Sequence, residues 1–197
     1  MSEELQNAAQ QAEVEQVERV KTALEKVRNK ESKFLFIVPE SQNPVASVYE
    51  IYFHATVVKN MGFDVKIMVE KSDYAVPTWI EKELTDFEHV SMADPKLTVG
   101  PEDVMVIPEV FSNVMEQTKN LPCLRVGLLQ SIDYMMNALI PGTDWSAFGV
   151  QDVITTSQTL KEVVEVYYGN EKFDIKTYII AIPEFFGKAD KSHNPVI

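Results

Sequence analysis

From residue 33 onward the chain repeats one texture: a short unbroken apolar run, a Pro, Gly or polar break, then a segment with apolar residues at helical spacing. Strands covered on both faces read as continuous apolar runs, whereas strands with one wet face alternate. The texture therefore restricts the chain to an α/β architecture with a largely parallel sheet. The runs are KFLFIV (33–38), DVKIMVE (64–70), EHVSM (88–92), DVMVIPE (103–109), LRVGLLQ (124–130), DVITTS (152–157) and KTYIIAIPEFF (176–186).

Helical signals fill the gaps. Pro44 to Met61 carries Val45, Val48, Tyr52, Ala55 and Val58 on one stripe, and Gly62 stops it. A short helix is expected over 77–84, with Pro77 in its first turn, and another through Phe111, Val114, Met115 and Thr118. Residues 132–149 read as part helix and part loop, and Ser157 caps a helix over 158–168 that Gly169 ends. Right-handed crossovers then put helices on both faces of one twisted, Rossmann-like parallel sheet. In front lies an N-terminal helix: residues 3–29 contain no Gly or Pro and align Val14, Val17, Val20, Leu24 and Val27. Two heptads do not make a stable coiled coil alone, so this arm either packs on its own domain or docks on another protein chain. The expected organisation is an arm (1–30), a Rossmann-like domain (31–187) and a linker or the start of a second domain (188–197).

Charge narrows the partners. Lys and Arg number 18 against 30 Asp and Glu, a net charge of −12, which argues against nucleic acid and anionic membranes. No apolar run reaches the roughly 18 residues of a membrane span, and the acidic, polar N-terminus is no secretory signal. A cytoplasmic location is expected. The one cysteine, Cys123, cannot form an internal disulfide and stands ahead of an apolar run, which favours a buried thiol over a nucleophile.

In open α/β sheets ligands lie outside the carboxyl ends of the strands, near the point where strand order reverses. That rule selects Glu40, Ser41, Asn43, Glu109, Gln130, Ser131, Ser157 and Glu184 as substrate-binding candidates. Glu40, Glu109 and Glu184 each follow a proline at the end of an apolar run (VPE, IPE, IPE). The competing reading is a carboxylate placed for a helix dipole, and Ser157 reads as a cap before it reads as a nucleophile. No residue is singled out as catalytic. GxGxxG and GxxxxGK[ST] are both missing, and PESQN follows the first strand in place of a glycine cradle, so a classical dinucleotide or ATP site is not expected. His54, His89 and His193 have no metal-ligand spacing, and no metal is expected; each reads as a satisfied core or surface residue. Tyr134, Met135, Met136, Trp145 and Phe148 either line a groove suited to ring-bearing ligands or pack in the core or on a partner.

The ordered segments KFLFIVPE, EIYFHATVVKNMGFDVKIMVE, VMVIPE, RVGLLQS, DVITTSQTLKEVVEVYYG and YIIAIPEFF resemble the N-terminal, acceptor-side domain of retaining B-type glycosyltransferases, and are similar to glycosyltransferase-like proteins of tailed phages. The resemblance covers about residues 33–186 and is architectural. It departs from the family where IAIPEFF stands for a strand end that normally reads IpNGiD, and where the first loop lacks its glycine pair. It implies sugar transfer from a nucleotide sugar only if a second Rossmann-like domain supplies the donor site, no cofactor within this chain, and residence in a host cytoplasm or a virion. The alternative is a non-catalytic structural or interaction protein that keeps the fold and docks through its N-terminal helix.

Overall fold

A computed structural model describes residues 18, 21, 25–27, 29, 31–138, 144–169 and 172–178. The elements in chain order are β1 (Lys33–Ile37), α1 (Ala46–Asn60), β2 (Asp64–Val69), α2 (Lys82–Thr85), β3 (Glu88–Ser91) and β4 (Val104–Pro108). A 3-10 turn (Glu109–Phe111) leads into α3 (Ser112–Thr118), followed by β5 (Leu124–Leu129) and α4 (Ile132–Ala138). A second 3-10 turn (Trp145–Phe148), β6 (Asp152–Thr155), α5 (Gln158–Tyr168) and β7 (Asp174–Thr177) complete the series.

The strands form one seven-stranded sheet in the order β3-β2-β1-β4-β5-β6-β7, with every neighbouring pair parallel. The Rossmann-like reading therefore holds. Strand order reverses between β1 and β4, where Phe34 pairs with Val104 and Phe36 with Val106. Because crossovers are right-handed, reversing the direction of travel switches the covering helix to the other face. Accordingly Val48, Ile51, Tyr52 and Ala55 of α1 pack with Phe36, Val38, Ile67, Val104 and Val106 on one face. Val114 and Met115 of α3, Met135 of α4, and Leu160 and Val164 of α5 pack with Leu35, Ile37, Met105, Ile107 and Leu129 on the other. Side chains alternate between the two cores along β1 and β4, which explains why both runs are apolar throughout.

Three expectations need adjustment. The second helix is one turn at Lys82–Thr85, not a segment from Pro77, because residues 74–80 turn to bury Ile80 and hold Tyr74 and Trp79 against the core. The last strand begins at Asp174 rather than Lys176, and residues 179–186 lie outside the described ones. His54 is half-buried and its Nε2 has no hydrogen-bond partner among the described residues, so it is not a satisfied histidine. Its ring lies 4.8 Å from that of Tyr178, and burial pushes its pKa down to about 4. His89, by contrast, is fully engaged. Its Nδ1 lies 3.0 Å from the Phe87 carbonyl, which can only accept, so Nδ1 carries the proton and Nε2 accepts from the Tyr52 hydroxyl at 2.9 Å. The Tyr52 hydrogen is thereby used, and Tyr74 donates to Tyr52 at 3.1 Å.

Cys123 is buried, with its thiol pKa raised by that burial. Of the aromatic and methionine stretch, Met135, Trp145 and Phe148 are core, while Tyr134 and Met136 are about half exposed. Of the arm, Glu18, Lys21 and Glu25–Val27 are helical; Val27 packs on the α1 face and Lys26 pairs with Glu102 at 3.5 Å. Val14, Val17, Val20 and Leu24 lie outside the described residues. Ser157 accepts from the Leu160 amide at 3.2 Å, as its capping role requires.

Two buried charges tie elements together. Arg125 donates to the carbonyls of Thr118, Leu121 and Cys123, tying β5 to the end of α3 and the turn that follows it. Asp103 accepts from the Gly100 amide at 2.8 Å and the Lys33 amide at 3.3 Å, and pairs with Lys33 Nζ at 3.1 Å, fixing β4 to the start of β1. Asp103→Ala removes the acceptor of two amides and the counter-charge of Lys33, whose Nζ keeps only the Thr98 carbonyl at 3.1 Å. A loss of about 3 kcal/mol in urea unfolding is expected, and an unchanged midpoint would contradict this account of the β1–β4 junction.

Candidate functional site

The reversal of strand order parts the loops that follow β1 and β4, and a crevice of about 280 Å³ opens there. It is lined by residues of three loops and the first turn of α1. Pro39, Glu40 and Ser41 come from the loop after β1, and Val45, Ser47 and Val48 from the start of α1. Pro108, Glu109 and Val110 come from the end of β4, and Gln130 and Tyr134 from the end of β5 and α4. Four of the eight sequence candidates, Glu40, Ser41, Glu109 and Gln130, are thus gathered in one wall.

The other four have different places. Ser131 is one step back from the wall, where its amide donates to Glu109 Oε1 at 2.8 Å. Asn43 is exposed, and its carbonyl accepts from the Ser41 hydroxyl at 2.9 Å. Ser157 is at the start of α5, outside the crevice lining. Glu184 lies outside the described residues.

Neither lining carboxylate behaves as a simple helix-start group. Glu40 precedes α1 by six positions and pairs with Lys71 at 3.1 Å, a contact between exposed groups. Glu109 opens a 3-10 turn, yet its side chain reaches across to the β5 loop and is only 1% exposed. Oε1 holds the Ser131 amide, and Oε2 is buried with no hydrogen-bond partner among the described residues. Burial is the main reason the Glu109 pKa is pushed up to about 7; the charge of Glu50 adds to the rise, and the amide hydrogen bonds oppose it.

Gln130 links the crevice to α1. Its Nε2 donates to the Ser47 carbonyl at 3.0 Å and to Glu50 Oε2 at 2.8 Å, which fixes the amide with its carbonyl oxygen turned from those acceptors. Glu50 is half-buried, and burial raises its pKa although the Gln130 amide works against the rise. Sequence reasoning missed Ser47 and Glu50. The available signal was phase: Glu50 is an acid set between the buried Tyr49 and Ile51, on a helix whose N-terminal end abuts the strand ends.

Among the described residues lining the crevice there are two carboxylates and no Lys, Arg or His. No glycine stands where a phosphate would need the backbone of the β1 loop, so the wall is suited to hydrogen-bond donors rather than to anions. Among the described residues no three of His, Cys, Asp or Glu gather as a metal site, and no helix is long and apolar enough to cross a membrane. Comparison with protein-family models, curated proteins and solved structures finds no match to this chain.

The raised pKa of Glu109 has a definite sign for stability. In the unfolded chain a glutamate titrates near 4.3, so between about pH 4.3 and pH 7 the folded state holds more of this proton. Stability from this group falls as pH rises through that window, by on the order of 3 kcal/mol, and is level above it. Glu109→Gln removes the dependence. Urea unfolding at pH 5 and pH 8 is expected to show a smaller loss across the interval for the variant than for the native chain; equal losses would mean that Glu109 titrates normally.

Proposed function

We propose that this chain is the acceptor side of a two-domain glycosyltransferase, its crevice holding the saccharide that receives a sugar while a second domain binds the nucleotide sugar. The observation that carries the reading is the crevice at the β1/β4 reversal, walled by Glu40, Glu109 and Gln130 without a cation or a glycine cradle. A saccharide presents several hydroxyl donors and a flat apolar face. Acceptor oxygens answer the first, and Val45, Val48, Val110 and the half-exposed Tyr134 answer the second. A diphosphate would meet two carboxylates and no cation in the described lining, which supports placing the donor elsewhere.

The other reading, a structural or interaction protein docked through its N-terminal helix, has less support. The end of that helix is engaged with its own domain, through Val27 and the Lys26–Glu102 pair.

Heteronuclear NMR titration of the chain separates the two. Mono- and disaccharides are expected to bind with dissociation constants on the order of millimolar, shifting amides around Glu40, Val110 and Ser131, while a nucleotide sugar leaves them in place. Gln130→Leu, which removes the bridge to Ser47 and Glu50, is expected to weaken the saccharide about tenfold. Tighter binding of the nucleotide sugar than of any saccharide would refute the assignment.

A further inference from the structure

Three carboxyl groups surround the crevice: Glu40 at its rim, Glu109 in its wall and Glu50 behind Gln130. The charged side chains lining the crevice are both acids, and the Ser47 and Tyr134 hydroxyls there can donate or accept. Both acceptors facing the Gln130 NH2, the Ser47 carbonyl and Glu50, are already engaged by it, and the Ser41 hydroxyl hydrogen is given to the Asn43 carbonyl. A buried carboxyl with one unpartnered oxygen is costly unless a proton or a cation is supplied. The described lining supplies no cation.

Resting on the acceptor reading above, the geometry points to a saccharide that carries a primary ammonium group as the ligand of this crevice, the ammonium set against Glu40 and the Gln130 carbonyl oxygen with Glu109 behind them. The ligand takes over the role that Lys71 has at the exposed Glu40. Contact with Glu109 is not required, since a carboxylate in a poorly polarisable wall acts on a charge in the crevice through its field. Glu50 on α1 is the charged group that acts on Glu109, while Glu40 from the loop after β1 and Tyr134 from α4, whose first turn also carries Asp133, belong to the same crevice region. Among the described residues the only cation paired with any of these groups is Lys71, at Glu40, and it is not part of the crevice lining.

A proton count distinguishes an ammonium from a hydroxyl. Near neutrality Glu109 is shared between its two forms. An ammonium in the crevice favours the carboxylate, so binding expels part of a proton and strengthens as pH rises through 7. A neutral sugar has no such effect.

The test is titration calorimetry of the full chain at pH 7 with 6-amino-6-deoxyglucose, glucose and uridine monophosphate, each in two buffers of different ionisation enthalpy. The amino sugar is expected to bind at least tenfold more tightly than glucose and to release a fraction of a proton. Glu109→Gln is expected to abolish the release and most of the preference. Glu40→Gln, a change at the exposed rim, is expected to reduce the preference several-fold and keep the release. Thermal unfolding reports whether Glu109→Gln folds; if it does not, Glu40→Gln and the proton count of the native chain decide. Equal binding of glucose and the amino sugar without proton release overturns the ammonium assignment and leaves the acceptor reading standing. Binding of uridine monophosphate in preference to both sugars, or of neither sugar, overturns both.

Discussion

The parallel pairing of β1 with β4 is the constraint on which the rest depends. It joins the halves of the sheet, and it is the one place where consecutive connections leave in opposite directions. Helix placement follows, since a right-handed crossover to the left and one to the right must cover opposite faces. The crevice follows as well, because the loops leaving β1 and β4 diverge to reach those faces. Asp103 secures the junction from the amino ends of the strands, and Glu109 ties the carboxyl end of β4 to the loop after β5. A crevice between loops thus rests on two central strands whose carboxyl-terminal residues are buried.

Electrostatics gives the crevice its character. In nucleotide-binding folds of this topology the opening between the central strands is made for phosphate, with glycine turns and a helix N-terminus. Here the same opening has acids on two sides, and the buried one cannot ionise cheaply. A charge retained where burial works against it favours a ligand that rewards the charged form.

The central strands were legible in the sequence because β1 and β4 lie between two cores and so read as short continuous apolar runs. Helix α1 was legible because Val48, Tyr52 and Ala55 keep helical phase over about two turns. The turn before α2 was not, because Tyr74, Trp79 and Ile80 bury themselves from an irregular segment that has no period to detect. At the site, the strand-end rule brought out Glu40, Ser41, Glu109 and Gln130. It could not reveal that Glu109 binds the Ser131 amide, since that contact depends on the β4–β5 register that sets Pro108 beside Leu128. Nor could it find Glu50, whose approach to Gln130 joins residues 80 positions apart.

The crevice draws on loops that lie far apart along the chain, and no two neighbouring strands of the sheet are joined by a hairpin. Every closure that builds it spans a crossover, and such distant closures form slowly and late. A partly assembled chain therefore has no partial site to offer. Whatever occupies the crevice recognises only the finished fold, and its binding free energy adds in full to the stability of the whole sheet.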